Sequence, residues 1–114
     1  MLTIDALKDF GADTSEGVTR CMGNEAFYLK LVKTVPDEPN FKRLSDAISA
    51  GDMETAFEAA HALKGIVANL SLKPIYEPVS ELTEKLRAKQ KGDYAGMLNE
   101  VMKQKERLTQ MCAE

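Results

Sequence analysis

From Asp52 to Leu70 the chain carries no proline, and its apolar residues recur with the period of an α-helix. Stepping about 100° per residue from Leu63, the positions Leu70, Ala56, Val67, Ala60 and Met53 fall within roughly 100° of arc, the width of one buried stripe. A helix of this kind must cover its stripe with other elements. No stretch of the chain alternates apolar and polar residues over a useful strand length, so those elements are themselves helices.

Punctuation divides the rest. Thr3 is placed to cap a short helix that stops at Gly11. Asp13 with Glu16 resembles a capping box for a second, ending near Gly23. Asn24 starts a third that runs through Val35, where Pro36 and Pro39 break it. A helix follows from about Asn40 to Ala50, with Gly51 as its stop. Asp52 caps the central helix. Ser71 to Pro74 turns the chain, with Pro74 and Pro78 interrupting the start of a helix that reaches about Lys91 and closes at Gly92. Asp93 caps the last helix, which carries Met97, Leu98, Val101, Met102, Leu108 and Met111. The pattern predicts an all-α, antiparallel (up-and-down) four-helix bundle with short N-terminal helices capping one end. Leu63, Val67 and Leu70 are expected to meet residues such as Leu82, Leu86, Leu98 and Val101. Each leucine so buried contributes about 1.5–3 kcal/mol.

At 114 residues the chain is one domain, 1–114, with room for a core. Its formal charge of −3 gives no basic footprint for nucleic acid or an anionic membrane. No apolar run is long enough to span a bilayer, and the N-terminus lacks a basic-then-apolar signal pattern, so a cytoplasmic location is expected. The start at Met1 and the lack of a linker at either end lead to the expectation of a stand-alone protein, read as a monomer. Cys21 and Cys112 show no paired metal or redox spacing and read as buried free thiols.

The only histidine, His61, lies about 130° from the middle of the apolar stripe, on the side that faces solvent. Phe57, Lys64, Gly65 and Ala68 share that side. A neutral imidazole nitrogen is a nucleophile, and attack on an activated phosphoryl group gives a high-energy phosphoramidate. Lys64, three residues on, can offset phosphoryl charge with its ammonium. As a bland alternative, its stem lies along Phe57 and its head is solvated. Gly65 costs about 1 kcal/mol of helix propensity relative to alanine, which points to an access or packing reason for a glycine in mid-helix. Phe57 sits at the stripe's edge, as half-buried packing and an apolar floor beside the imidazole.

His61-Ala62-Leu63-Lys64-Gly65, followed by Ala68-Asn69-Leu70, resembles the signature of histidine-containing phosphotransfer (HPt) domains. The upstream half is similar too: Gly11-Ala12-Asp13, Arg20, the Gly23-Asn24-Glu25 turn and Phe27-Tyr28-Leu29, then Ala50-Gly51-Asp52. The resemblance runs from about Gly11 to the end. Ser71 departs from it, standing where the family often has glycine. The resemblance implies a phosphorelay intermediate. His61 would accept a phosphoryl group from an aspartyl phosphate and pass it to another, with Lys64 stabilising its charge. Phe57, Gly65 and Ala68 would meet the partner, and Asn69 would help order the helix end. The implied partners are receiver domains of response regulators and of hybrid histidine kinases. The receiver would bring the divalent metal, and no cofactor of the chain's own is implied.

Two other readings differ in class. Glu58-Ala59-Ala60-His61 has the Glu-x-x-His spacing of di-metal bundles, but those need two such motifs pointing inward, and this chain has one histidine, pointing out. A helical interaction module that binds receivers without transferring anything is the remaining alternative. The intact His-x-x-Lys-Gly argues against it. No Gly-rich phosphate loop and no Ser/His/Asp or Cys/His set accompanies the histidine, so no kinase or nucleotide-binding activity is expected.

Overall fold

The computed structural model describes residues 1–113, and among these the only regular elements are helical. They are α1 (Ile4–Phe10), α2 (Thr14–Arg20), α3 (Glu25–Val32), a single 3-10 turn at Val35–Asp37, α4 (Asn40–Ala50), α5 (Met53–Asn69), α6 (Lys73–Arg87) and α7 (Tyr94–Ala113). The expected caps are in place: Thr3, Asp13, Asn24 and Asp52 each accept a backbone N–H of the first turn they precede. Asp93 accepts from the N–H of Gly96 at 2.9 Å. Gly11 and Gly51 close α1 and α4 in the left-handed conformation that glycine adopts without a Cβ penalty.

α5 packs against α4 on one side and α6 on the other; α6 packs on α7, and α7 returns to α4. Leu63 and Val67 are fully buried, as are Leu82 and Val101, and Leu70, Leu86 and Leu98 join them in one apolar core. The buried arc of α5 is wider than the predicted stripe. Ala59, about 40° from Leu63, is also fully buried because a helix lies on either flank. Met53, at the stripe's other edge, is only half-buried.

Four boundaries differ from expectation. α3 ends at Val32 rather than Val35, because Pro36 disfavours helical geometry at the residue before it and the chain tightens into the 3-10 turn. α2 ends at Arg20, where Met22 and Gly23 turn left-handed (φ 60° and 77°). α6 starts at Lys73 and runs through both prolines. Pro74 falls in the first turn, where an N–H has no helical partner, and Pro78 lies inside the helix, where it gives up a ladder bond and crowds the carbonyl one turn before it. α6 also ends at Arg87, short of Lys91, with Lys89 left-handed at φ 56°. The thiols are free, but only Cys21 is buried; Cys112 is half-buried, and partial desolvation pushes its thiol up from the ordinary range.

The short N-terminal helices close over the α5–α6 corner. Ser71 sits there buried, with φ 55°, a left-handed geometry that explains how a glycine would serve at this position. The Asp13 N–H donates to the Ser71 carbonyl at 3.0 Å. Arg20 Nη1 donates to the Ala68 carbonyl at 2.7 Å and to Ser71 Oγ at 2.6 Å, and the Ser71 hydroxyl donates to Glu16 at 2.7 Å. From α3, the buried Tyr28 hydroxyl donates to the Leu70 carbonyl at 2.8 Å. The orphan carbonyls at the end of α5 thus receive side-chain donors from α2 and α3.

Candidate functional site

α5 begins at a well-made cap. The Thr55 N–H donates to Asp52 Oδ1 at 3.1 Å, and the hydrogen bonds from Thr55 hold the Asp52 carboxyl below its usual range. The Arg20 and Tyr28 bonds hold the far end. Between these anchors the 3.6-residue period decides orientation. With Leu63 and Val67 buried, His61 is exposed on the opposite face.

One turn before it, the half-buried Phe57 stacks on the imidazole, with ring centroids 5.7 Å apart and planes inclined by 15°. Arg87, at the end of α6, places its guanidinium carbon 5.1 Å from the Phe57 centroid. An open cavity of about 1020 Å³ lies beside Phe57, floored by Met53, Phe57, Leu86 and Tyr94 and edged by Arg87 and Lys91.

Lys64 is on the same side of α5 as His61, and its side chain is 25% exposed. Its ammonium reaches across to α6, where Nζ lies 3.3 Å from Glu84 Oε1. The other oxygen of that carboxylate, Oε2, lies 3.3 Å from Arg87 Nε. The bond from Lys64, with the charge of Arg87, holds the Glu84 carboxyl below its usual range, so the group stays ionised at neutral pH. Glu58, the carboxylate one turn before His61, turns to α4 and pairs with Arg43 at 2.7 Å.

Gly65 is exposed, and a Cβ built there meets nothing within 4 Å. Its space is open, not filled by a neighbouring helix. Ala68 is half-buried on the same side, its carbonyl taken by Arg20. Asn69 is exposed, and its side chain makes no hydrogen bond among the described residues. The hydrogen bonds that order the helix end come from Arg20, Tyr28 and the buried Ser71.

His61, Phe57, Lys64 and Gly65 therefore come together on one accessible face. Sequence reasoning did not find Glu84 and Arg87, although both border that face. Their three-residue spacing was visible as an ordinary surface pair on a helix. The register of α6 against α5 was not. The arrangement offers an accessible ring nitrogen, a cation one turn away and an unobstructed turn beyond it, which suits attack on an electrophile carried by a partner.

No helix among the described residues is long and apolar enough to cross a membrane. No curated protein and no solved structure matches the chain. The family model described as Hpt domain matches residues 36–114, which takes in α4 to α7 and leaves the three N-terminal helices outside. With that match covering more than half of its length, and an all-helical fold that presents its one histidine on an open helix face, the chain belongs to the Hpt domain family.

Proposed function

We propose that this chain is a phosphorelay intermediate that shuttles a phosphoryl group between His61 and the aspartates of receiver domains. Membership of the family supports histidine phosphotransfer as the general activity. The observation that carries the specific reading is the exposure of the lone His61, stacked on Phe57 and followed one turn on by an open Gly65. In the step, the lone pair of an imidazole nitrogen forms the N–P bond. The P–O bond to the aspartyl carboxylate breaks, and that carboxylate leaves with the electron pair. The remaining ring N–H proton is lost to solvent, and phosphohistidine results. Reversal towards a second receiver returns an acyl phosphate.

Lys64 offsets phosphoryl charge in this reading. Phe57, Gly65 and Ala68 form the surface that the receiver approaches, together with the apolar floor beside Phe57. The ordering of the helix end expected of Asn69 falls instead to Arg20, Tyr28 and Ser71, whose side chains make the hydrogen bonds there. The receiver supplies the divalent metal, and this chain needs no cofactor of its own. The ring of packed helices α4 to α7 is read as an antiparallel four-helix bundle, monomeric and cytoplasmic.

The test is to incubate the protein with a phosphorylated receiver domain and map the label. An acid-labile, base-stable label on His61, lost in His61→Gln with melting nearly unchanged, is the expected result. An acid-stable label on serine or threonine, or full transfer to the Gln variant, sinks the relay reading. Retained receiver binding with no transfer in either direction would favour the non-transferring module. With ATP and Mg²⁺ alone the protein should not label itself.

A further inference from the structure

Lys64 does not hang free beside His61. Its ammonium is tied to Glu84 of α6, and the same carboxylate takes Arg87 through its second oxygen. One negative charge thus bridges two of the cations nearest the histidine face. Glu58 on α5 is already matched with Arg43 of α4, and Glu81 of α6 with Lys85, so neither competes for Lys64. A phosphoryl group on His61 would bring a charge close to −2, against −1 on Glu84, to the same side of α5 as Lys64. The stronger anion takes the shared cation, and Glu84 keeps Arg87.

We propose that Glu84 is a positioning residue for phosphoryl transfer at His61: it parks the Lys64 ammonium on α6 in the resting chain and yields it to the phosphoryl group on loading. The proposal rests on the relay reading above. Its consequence is a resting site less cationic than its sequence implies, with Glu84 acting as a brake. Any charge Lys64 lends to an incoming phosphoryl group is first withdrawn from Glu84.

A small donor tests this without a receiver. Phosphoramidate carries an activated phosphoryl group. His61 attacks phosphorus, the P–N bond breaks, and ammonia leaves with the electron pair and a proton. Loading is followed by ³¹P NMR, in which the phosphohistidine signal is distinct from the donor. Removing the brake in Glu84→Gln is expected to speed loading by about two- to fivefold, the scale of one partly screened charge interaction. Glu84→Asp, which keeps the charge, should return the rate towards wild type, and melting should be the same in all three. In a Lys64→Ala background the Glu84→Gln change should have little effect, because there is no parked cation to release.

Equal loading of wild type and Glu84→Gln overturns the proposal and leaves the relay reading standing. So does a Glu84→Gln effect that persists unchanged without Lys64, which would mean that the carboxylate acts directly or through Arg87. Failure of phosphoramidate and of a phosphorylated receiver alike to label His61 overturns both readings.

Discussion

The ring of Phe57 lies nearly parallel to the imidazole of His61, 5.7 Å away by centroid, and both project from consecutive turns of one helix. The contact restricts the orientations that the imidazole samples. Phe57→Leu keeps most of the apolar area but removes the flat face. Such aromatic pairs are worth about 0.5–1.5 kcal/mol, so phosphoryl transfer should slow by about two- to tenfold. Loss of stability should stay below about 1.5 kcal/mol, since the swap is apolar and the site half-buried. Transfer rates beside thermal melts check both halves.

Gly65 and Gly17 make opposite predictions for the same change. A Cβ at Gly65 enters open space, so Gly65→Ala should raise stability by up to about 1 kcal/mol through helix propensity. At Gly17 a Cβ would fall 2.7 Å from Tyr28 Cζ and 2.9 Å from its hydroxyl. That ring is fully buried and bonded to the Leu70 carbonyl, so it has nowhere to go. Overpacking costs of about 1–3 kcal/mol exceed the propensity gain, and Gly17→Ala should destabilise. Denaturant midpoints of the two variants decide the matter.

Gly65→Leu separates access from folding. Leucine is a better helix former than glycine by close to 1 kcal/mol, and the space around the position is free. The variant should melt at the wild-type temperature or above and yet transfer poorly, because a large side chain one turn from His61 stands where a receiver approaches. Wild-type transfer rates would show that the partner does not pass over that turn.

Tyr28 gives the fold a limit in alkali. Burial, aided by Cys21 and Asp13, pushes its phenol from 10.0 up to about 12. The unfolded chain releases that proton near pH 10 while the native chain retains it, so unfolding is favoured as pH rises between the two values. The contribution is fully present below pH 10 and is lost through about pH 12, at about 3 kcal/mol for a gap of this size. Tyr28→Phe should cost about 1–3 kcal/mol near neutrality by leaving the Leu70 carbonyl unpaired. The gap between the two proteins should then shrink from pH 10 upward. Urea melts across pH 7 to 12 measure it, and a constant gap would refute the assignment.

The single histidine, its outward direction and its neighbours on α5 were legible in the sequence because they are properties of one helix. A 3.6-residue period and a cap at Asp52 set the angles of Phe57, His61, Lys64 and Gly65 relative to Leu63 before any other helix is placed. The same local chemistry located the starts at Thr3, Asp13, Asn24 and Asp93, since a cap acts on the N–H groups two or three residues away. Helix ends were less legible. The stops of α2 and α6 involve the left-handed residues Met22 and Lys89, for which non-glycine side chains give little signal, and α3 gives way to a 3-10 turn three residues before the stop that Pro36 suggested.

What only the tertiary structure decided lies between helices. The pairing of Lys64 with Glu84, twenty residues away, depends on how far α6 slides along α5, and no local periodicity encodes that offset. The width of the buried arc, which took in Ala59, depends on α4 and α6 flanking α5 on both sides. The closing of the α5 terminus by Arg20 and Tyr28 joins residues more than forty positions apart. Each is set by the packing of side chains from separate segments, where the geometry of one helix constrains its own faces but not its neighbour's register.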